Sequence, residues 1–183
     1  MALHDKPLGR MRVAVVSNAG FECVAAADAF GAVTTAEFSP ATRTRLEAIF
    51  RAGGLDGVTA VQNPLDLTPM ADDAAYAAAV EAVLDDPAVD LAVVGCVPFT
   101  PSLHTLPDQV GKSGSLPDRL AALAGLPTPW VAVVDGGRRY DPMADRIEGA
   151  GVPVLRSMDR AVRLLGRYAA CRSSPWGMAR IVT

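Results

Sequence analysis

The chain has 183 residues, half of them hydrophobic and a fifth charged, and a net charge of −3. That length and apolar share fit one domain with its own core, and they exclude a disordered chain. The net charge gives no sign of the clustered positive charge that nucleic-acid binders usually carry, so no nucleic-acid partner is expected.

The first element is Arg12 to Val16 (RVAVV), an apolar run that ends in Ser17-Asn18-Ala19-Gly20. An alanine-rich stretch, Phe21 to Phe30, follows and Gly31 stops it, which reads as strand, tight turn and helix. Ala36 to Phe38 is a second strand. Ser39 caps the next helix, with Pro40 at its first position, and Gly53-Gly54 ends it. Val58 to Leu67 is loop or irregular strand around Asn63-Pro64. Asp72 to Leu84 carries a helical stripe of Ala75, Ala79, Val80, Val83 and Leu84. Leu91 to Val94 is a strand buried on both faces. Pro98 to Pro117, rich in Pro, Gly, Ser and Thr, reads as a mobile surface loop. A short helix over Leu116 to Leu123 leads to a strand over Trp130 to Val134. Asp141-Pro142 opens a helix to Ala150, Val152 to Leu155 is the last strand, and Ser157 caps a helix from Met158 to about Tyr168.

Strands therefore alternate with helices about five times, and every connection is too long for a hairpin. This pattern predicts an α/β fold with a parallel sheet of about five strands and helices on both faces. No linker divides the chain, and residues 171–183 have no clear period.

In open parallel sheets ligands sit beyond the carboxyl ends of the strands. Three loops lie there: Ser17 to Phe21, Gly95 to Thr100 and Asp135 to Tyr140. The first runs into a helix N-terminus, whose unpaired N–H groups and dipole suit an anion. Asn18, Ala19 and Gly20 are thus a candidate phosphate site, and the alternative is a tight turn that binds nothing. Glu22 repels an anion if it points inward, and otherwise points outward or reaches back as a capping partner.

The other motifs are weaker. Gly111-Lys112-Ser113 resembles the end of a P-loop, but Leu106 stands where the first glycine is needed. His4 and His104 are the only histidines, and a loop histidine such as His104 is either a base or inert. Arg138 and Arg139 follow the Gly136-Gly137 turn and either clamp an anion or are solvated. A hydrolase triad of Ser17, Asp135 and His104 lacks the G-x-S-x-G elbow and is rejected. Cys23, Cys96 and Cys171 show no metal-binding spacing, so no metal site is expected and the thiols read as reduced and buried in a cytoplasmic protein. Met1 to Arg10 does not have the pattern of a signal peptide, and no apolar run approaches the ~20 residues of a membrane span.

Several segments, taken in order, resemble one known family. They are Arg12 to Gly20 (RVAVVSNAG), Asn63 to Thr68 (NPLDLT), Asp90 to Gly95 (DLAVVG), Trp130 to Gly137 (WVAVVDGG), Tyr140 to Met143 (YDPM), Gly151 to Val154 (GVPV) and Asp159 to Val162 (DRAV). Together they are similar to the succinyl-CoA-synthetase-like flavodoxin domain of NDP-forming acyl-CoA synthetases, the ADP-forming acetate–CoA ligase group. The resemblance covers residues 9–170 and leaves 171–183 as a tail of unassigned role.

It implies a three-layer, flavodoxin-like domain that faces a phosphohistidine with the N-terminus of its first helix. The site it implies is Ser17, Asn18, Ala19, Gly20 and Phe21, with Asn63, Asp66, Thr68, Pro98, Thr100, Gly136 and Gly137 on neighbouring loops. It implies no catalytic residue in this chain and no cofactor bound by this domain alone. CoA, ATP or ADP, and Mg2+ are expected for the complete enzyme. Its partners would be CoA-binding, phosphohistidine and ATP-grasp domains or subunits, and a homo-oligomer is left open. The family often has more glycine after the first turn, whereas Phe21-Glu22-Cys23 stands here. Two other readings remain: a non-catalytic assembly or regulatory module of the same fold, and a flavin-binding flavodoxin. The latter ranks last, because Ser17 is the only hydroxyl in the turn.

Overall fold

In a computed structural model, the structure describes residues 11–31 and 33–173. The readings made for the N-terminal ten residues, His4 included, and for 174–183 lie outside the described residues. The strands are β1 (Arg12–Ser17), β2 (Thr34–Thr35), β3 (Leu65–Asp66), β4 (Leu91–Cys96), β5 (Trp130–Val134) and β6 (Val154–Leu155). The helices are α1 (Gly20–Ala29), α2 (Pro40–Ala52), α3 (Asp73–Leu84), α4 (Leu116–Ala122), α5 (Asp141–Glu148) and α6 (Met158–Ser173). α6 thus runs beyond Tyr168, into the segment read from the sequence as a tail.

All strand pairs are parallel, in the order β2-β1-β4-β5-β6, with β3 also against β1. β2 meets the start of β1 at Arg12 and Val13, and β3 meets its end at Val16 and Ser17. The two act as one broken edge strand. The sheet therefore has five positions in flavodoxin-like order, and its order reverses between β1 and β4.

Alternation along β1 divides the core. Val13 and Val15 face α1 and α6, beside Leu91, Val93, Val131 and Val133. Ala14 and Val16 face the other layer, where Leu46 and Phe50 of α2, Tyr76 and Val80 of α3, Leu120 of α4 and Met143 and Ile147 of α5 pack. These are the helix layers on both faces that buried parallel strands require. The caps follow the sequence: Ser39 Oγ accepts from Thr42 N–H at 3.3 Å, and Asp72 accepts from Ala75 N–H at 2.8 Å.

The second strand differs from its predicted place. Pairing occurs at Thr34–Thr35, and Ala36 to Phe38 lies beyond it. Asn63 explains the shift. Its Nδ2 donates to Val13 C=O (2.8 Å) and Ala36 C=O (2.9 Å), and its Oδ1 accepts from Val15 N–H (2.9 Å). Ala36 N–H still donates to Val13 C=O (2.9 Å), but its carbonyl is taken by a side chain from 27 residues further on, and the ladder ends there.

The 98–117 segment, read as a mobile loop, is tied to the domain at two points, Thr100 and His104, and braced internally at Thr105. Thr100 Oγ1 donates to Pro69 C=O (2.9 Å), Thr105 Oγ1 donates to Pro98 C=O (2.7 Å), and His104 is held by Asp73.

Candidate functional site at the carboxyl edge of the sheet

The reversal of strand order between β1 and β4 opens onto the turn after β1. Ser17 and Asn18 are buried there, whereas Gly20 and Phe21 are exposed. The N–H groups of Glu22 and Cys23 both turn back to Ala19 C=O, at 3.0 and 3.3 Å. Gly20 and Phe21 therefore carry the outermost first-turn donors of α1. Asn18 spans the crevice itself: its Nδ2 donates to Val97 C=O (3.0 Å) and its Oδ1 accepts from Val97 N–H (2.9 Å). This locks the turn after β1 to the turn after β4.

Glu22 points inward. It is the third residue of α1, but it does not make the direct backbone contact of a capping box. Ala19 N–H donates to Ser17 Oγ (3.1 Å), and Ser17 in turn donates its hydroxyl to Glu22 Oε2. Glu22 is fully buried, and its Oε1 has no partner among the described residues. Burial pushes its carboxyl up to about 7, the Ser17 bond opposes that rise, and the Asp135 charge adds to it. Asp66 stands on the other side of the tip: a Cβ on Gly20 would lie 3.0 Å from its Oδ2. The tip thus carries backbone donors with the Asp66 carboxyl beside them and the Glu22 carboxyl buried beneath.

The remaining residues of the predicted site fall into separate roles. Asp66 Oδ1 accepts from Thr68 N–H (2.8 Å), and Thr68 sits at φ +59°, a left-handed turn after β3. Gly136 lets the β4 and β5 loops meet, because a Cβ there would lie 2.8 Å from Tyr140 and 3.0 Å from Pro98. Gly137 faces open space. Thr100 anchors its loop, and Asn63 lies back along β1 as a staple.

His104 has a partner that the sequence did not indicate, and it is not Asp135. Asp73 Oδ1 accepts its backbone N–H (3.0 Å), and Asp73 Oδ2 lies 2.5 Å from its Nδ1. Asp73 is buried and His104 is largely exposed. The imidazole is therefore held by one edge, in a cavity of about 500 Å3 that Lys112 and Arg119 also line. No local motif links these residues, which come from segments 31 positions apart.

Cys23 and Cys96 are free thiols. Burial pushes Cys23 up to about 12, with Asp66 and Glu22 adding to the rise, and raises Cys96 well above its ordinary value. Neither is an activated nucleophile. Among the described residues no group of His, Cys, Asp and Glu could hold a metal ion, and no helix is long and apolar enough to cross a membrane.

Fold and edge together define a three-layer, flavodoxin-like α/β domain. No family model and no curated protein matches the chain. Among solved structures it is similar to the dinucleotide-forming acetyl-coenzyme A synthetase 1 of Ca. Korarchaeum cryptofilum, in its apo form and in complex with phosphate and ADP. For each the TM-score is 0.72 at 20% identity, over 97% of this chain and 37% of that one. It is also similar to PH0766 of Pyrococcus horikoshii OT3, with a TM-score of 0.71 at 23% identity, over 90% of this chain and 37% of that one. At this identity the likeness shows the fold. The synthetase is of the group that the sequence motifs resemble, and the chain spans little more than a third of its length.

Proposed function

We propose that the chain is a flavodoxin-like domain or subunit of an NDP-forming acyl-CoA synthetase, which converts acyl-CoA, NDP and phosphate to acid, CoA and NTP. The observation that carries this reading is the match of nearly the whole chain to one part of an acetyl-CoA synthetase, reached independently of the motif resemblance. In this reading the α1 tip faces a phosphohistidine supplied by another domain. Preorganised N–H donors suit that task, because phosphoryl transfer depends mainly on positioning and charge stabilisation. Phe21, Val24, Met70 and Phe99 support it as well: all four are exposed on α1 or on loops of the same edge, where docking would cover them. CoA, nucleotide and Mg2+ belong to the complete enzyme, and this domain alone is inactive.

A second reading, a non-catalytic assembly module, is favoured by one feature. The Asp66 carboxyl stands beside Gly20 at the α1 tip, where a phosphoryl group would have to approach, and the Glu22 carboxyl is buried beneath it.

Acyl-CoA-dependent phosphorylation of ADP separates the two. It is measured with this chain alone and after addition of CoA-binding, histidine-bearing and ATP-grasp modules. Activity is expected only in the mixture. Demonstrated binding without any stimulation overturns the catalytic role and leaves the assembly module.

A further inference from the structure

We propose that the groove between α6 and the end of β6 binds a small ligand carrying two or more phosphate groups, held by Arg156, Arg160, Arg163 and Arg167. This goes beyond the reading above and does not depend on it. The four arginines line a single cavity of about 520 Å3, together with Leu155, Ser157 and Leu164, and among the described residues no carboxylate lines it. That volume suits a small molecule.

The sequence places Arg160, Arg163 and Arg167 three and four residues apart, which puts them on one face of α6. Arg156 joins them from the turn before the helix. A chain of net charge −3 thus gathers four guanidinium groups in one groove, a cluster that the overall charge conceals. Guanidinium groups recognise phosphate oxygens with paired N–H donors, and neighbouring groups suit neighbouring phosphates.

Two of the four have carboxylate partners outside the lining. Arg156 Nη2 lies 2.5 Å from Asp141, and Arg163 Nη2 lies 3.1 Å from Asp159. Both pairs are largely exposed, so a multivalent anion displaces them at little cost. Leu164 is 54% exposed and Leu155 half-buried, which gives the groove an apolar patch beside its donors. The ligand class that follows is an organic diphosphate, with its phosphates on the arginines and its apolar part on the two leucines. An extended polyanion fits less well, because the rest of an acidic chain repels it.

The test is titration calorimetry of the full chain at constant ionic strength, with inorganic pyrophosphate and an alkyl diphosphate as probes. Saturable one-site binding is expected, tighter for the alkyl diphosphate. Arg160→Ala and Arg167→Ala should each weaken it at least about tenfold, the effect of losing one charge-assisted contact. Both positions are exposed, so the fold should be unaffected. Arg51→Ala, at an exposed arginine of α2, should leave binding within about twofold of the parent. Equal weakening by Arg51→Ala, or heat that never saturates, overturns the proposal by showing charge screening alone. Tighter binding of a single-stranded oligonucleotide or an acidic peptide to the same arginines overturns it in favour of a macromolecular surface.

Discussion

Ser17 donates its hydroxyl proton to Glu22 beneath the first turn of α1, and neither side chain reaches solvent. The carboxyl of Glu22 is raised from 4.5 to about 7, chiefly by burial. Between those values the folded chain keeps a proton that the unfolded chain has released. Stability attributable to Glu22 therefore falls as pH rises through this window, and above about 7 the full cost, about 3 kcal/mol, is present. Glu22→Gln keeps the shape and the acceptor for Ser17 but does not ionise. Urea unfolding should show the variant gaining stability over the parent from pH 5 to pH 8. A constant difference between the two across that range would refute the ionisation of Glu22 as the cause.

Gly95 in β4 leaves the room that Glu22 occupies. A Cβ there would lie 2.6 Å from Glu22 Oε2 and 2.3 Å from Met158 Cε. Met158 can yield at its flexible end, whereas Glu22 is enclosed. Gly95→Ala should cost about 1–3 kcal/mol, as overpacked cores do. Combining it with Glu22→Ala should recover part of that loss, and purely additive costs in urea unfolding would exclude the clash with Glu22.

Most of the fold was legible because apolar runs such as Arg12 to Val16 and Leu91 to Val94 end at Ser17 and Gly95, and because Ser39-Pro40 and Asp72 mark helix starts by local chemistry. What was not legible depends on distant partners. β2 stands at Thr34–Thr35 because Asn63, far along the chain, takes the carbonyl of Ala36. His104 is held because the fold brings Asp73 beside it. The turn after β1 could be located from its sequence, but the inward rotation of Glu22 depends on the space over Gly95, which belongs to another strand. The arginines of α6 were not read from the sequence as a cluster, because the net charge hides them and only the edge of β6 makes them line a groove.

Asn63 provides a test of the staple. Asn63→Asp exchanges the donor to Val13 and Ala36 for an anion facing two carbonyl oxygens. The loss should be about 2–4 kcal/mol, from unpaired polar groups and added repulsion. Asn63→Ala also loses the acceptor for Val15 N–H but sets no anion against the two carbonyls, and should lose less. Equal losses in urea unfolding would mean that the contact with the two carbonyls is not what orients this side chain.

Phe21 and Phe99 test whether the carboxyl edge is the docking face. Phe21 is 61% exposed in the first turn of α1, and Phe99 is 88% exposed on the loop after β4. Neither contributes to the core, so Phe21→Asp and Phe99→Asp should change stability by no more than about 0.5 kcal/mol. In the proposed complex with other synthetase modules each ring would be covered, and a carboxylate in its place would be buried without a partner. Binding to those modules should therefore weaken at least about tenfold for each variant. Val58→Asp, at an exposed residue between α2 and β3, should bind like the parent. If all three variants bind equally well, the apolar residues of this edge are not the contact, and the α1 tip faces solvent rather than a partner.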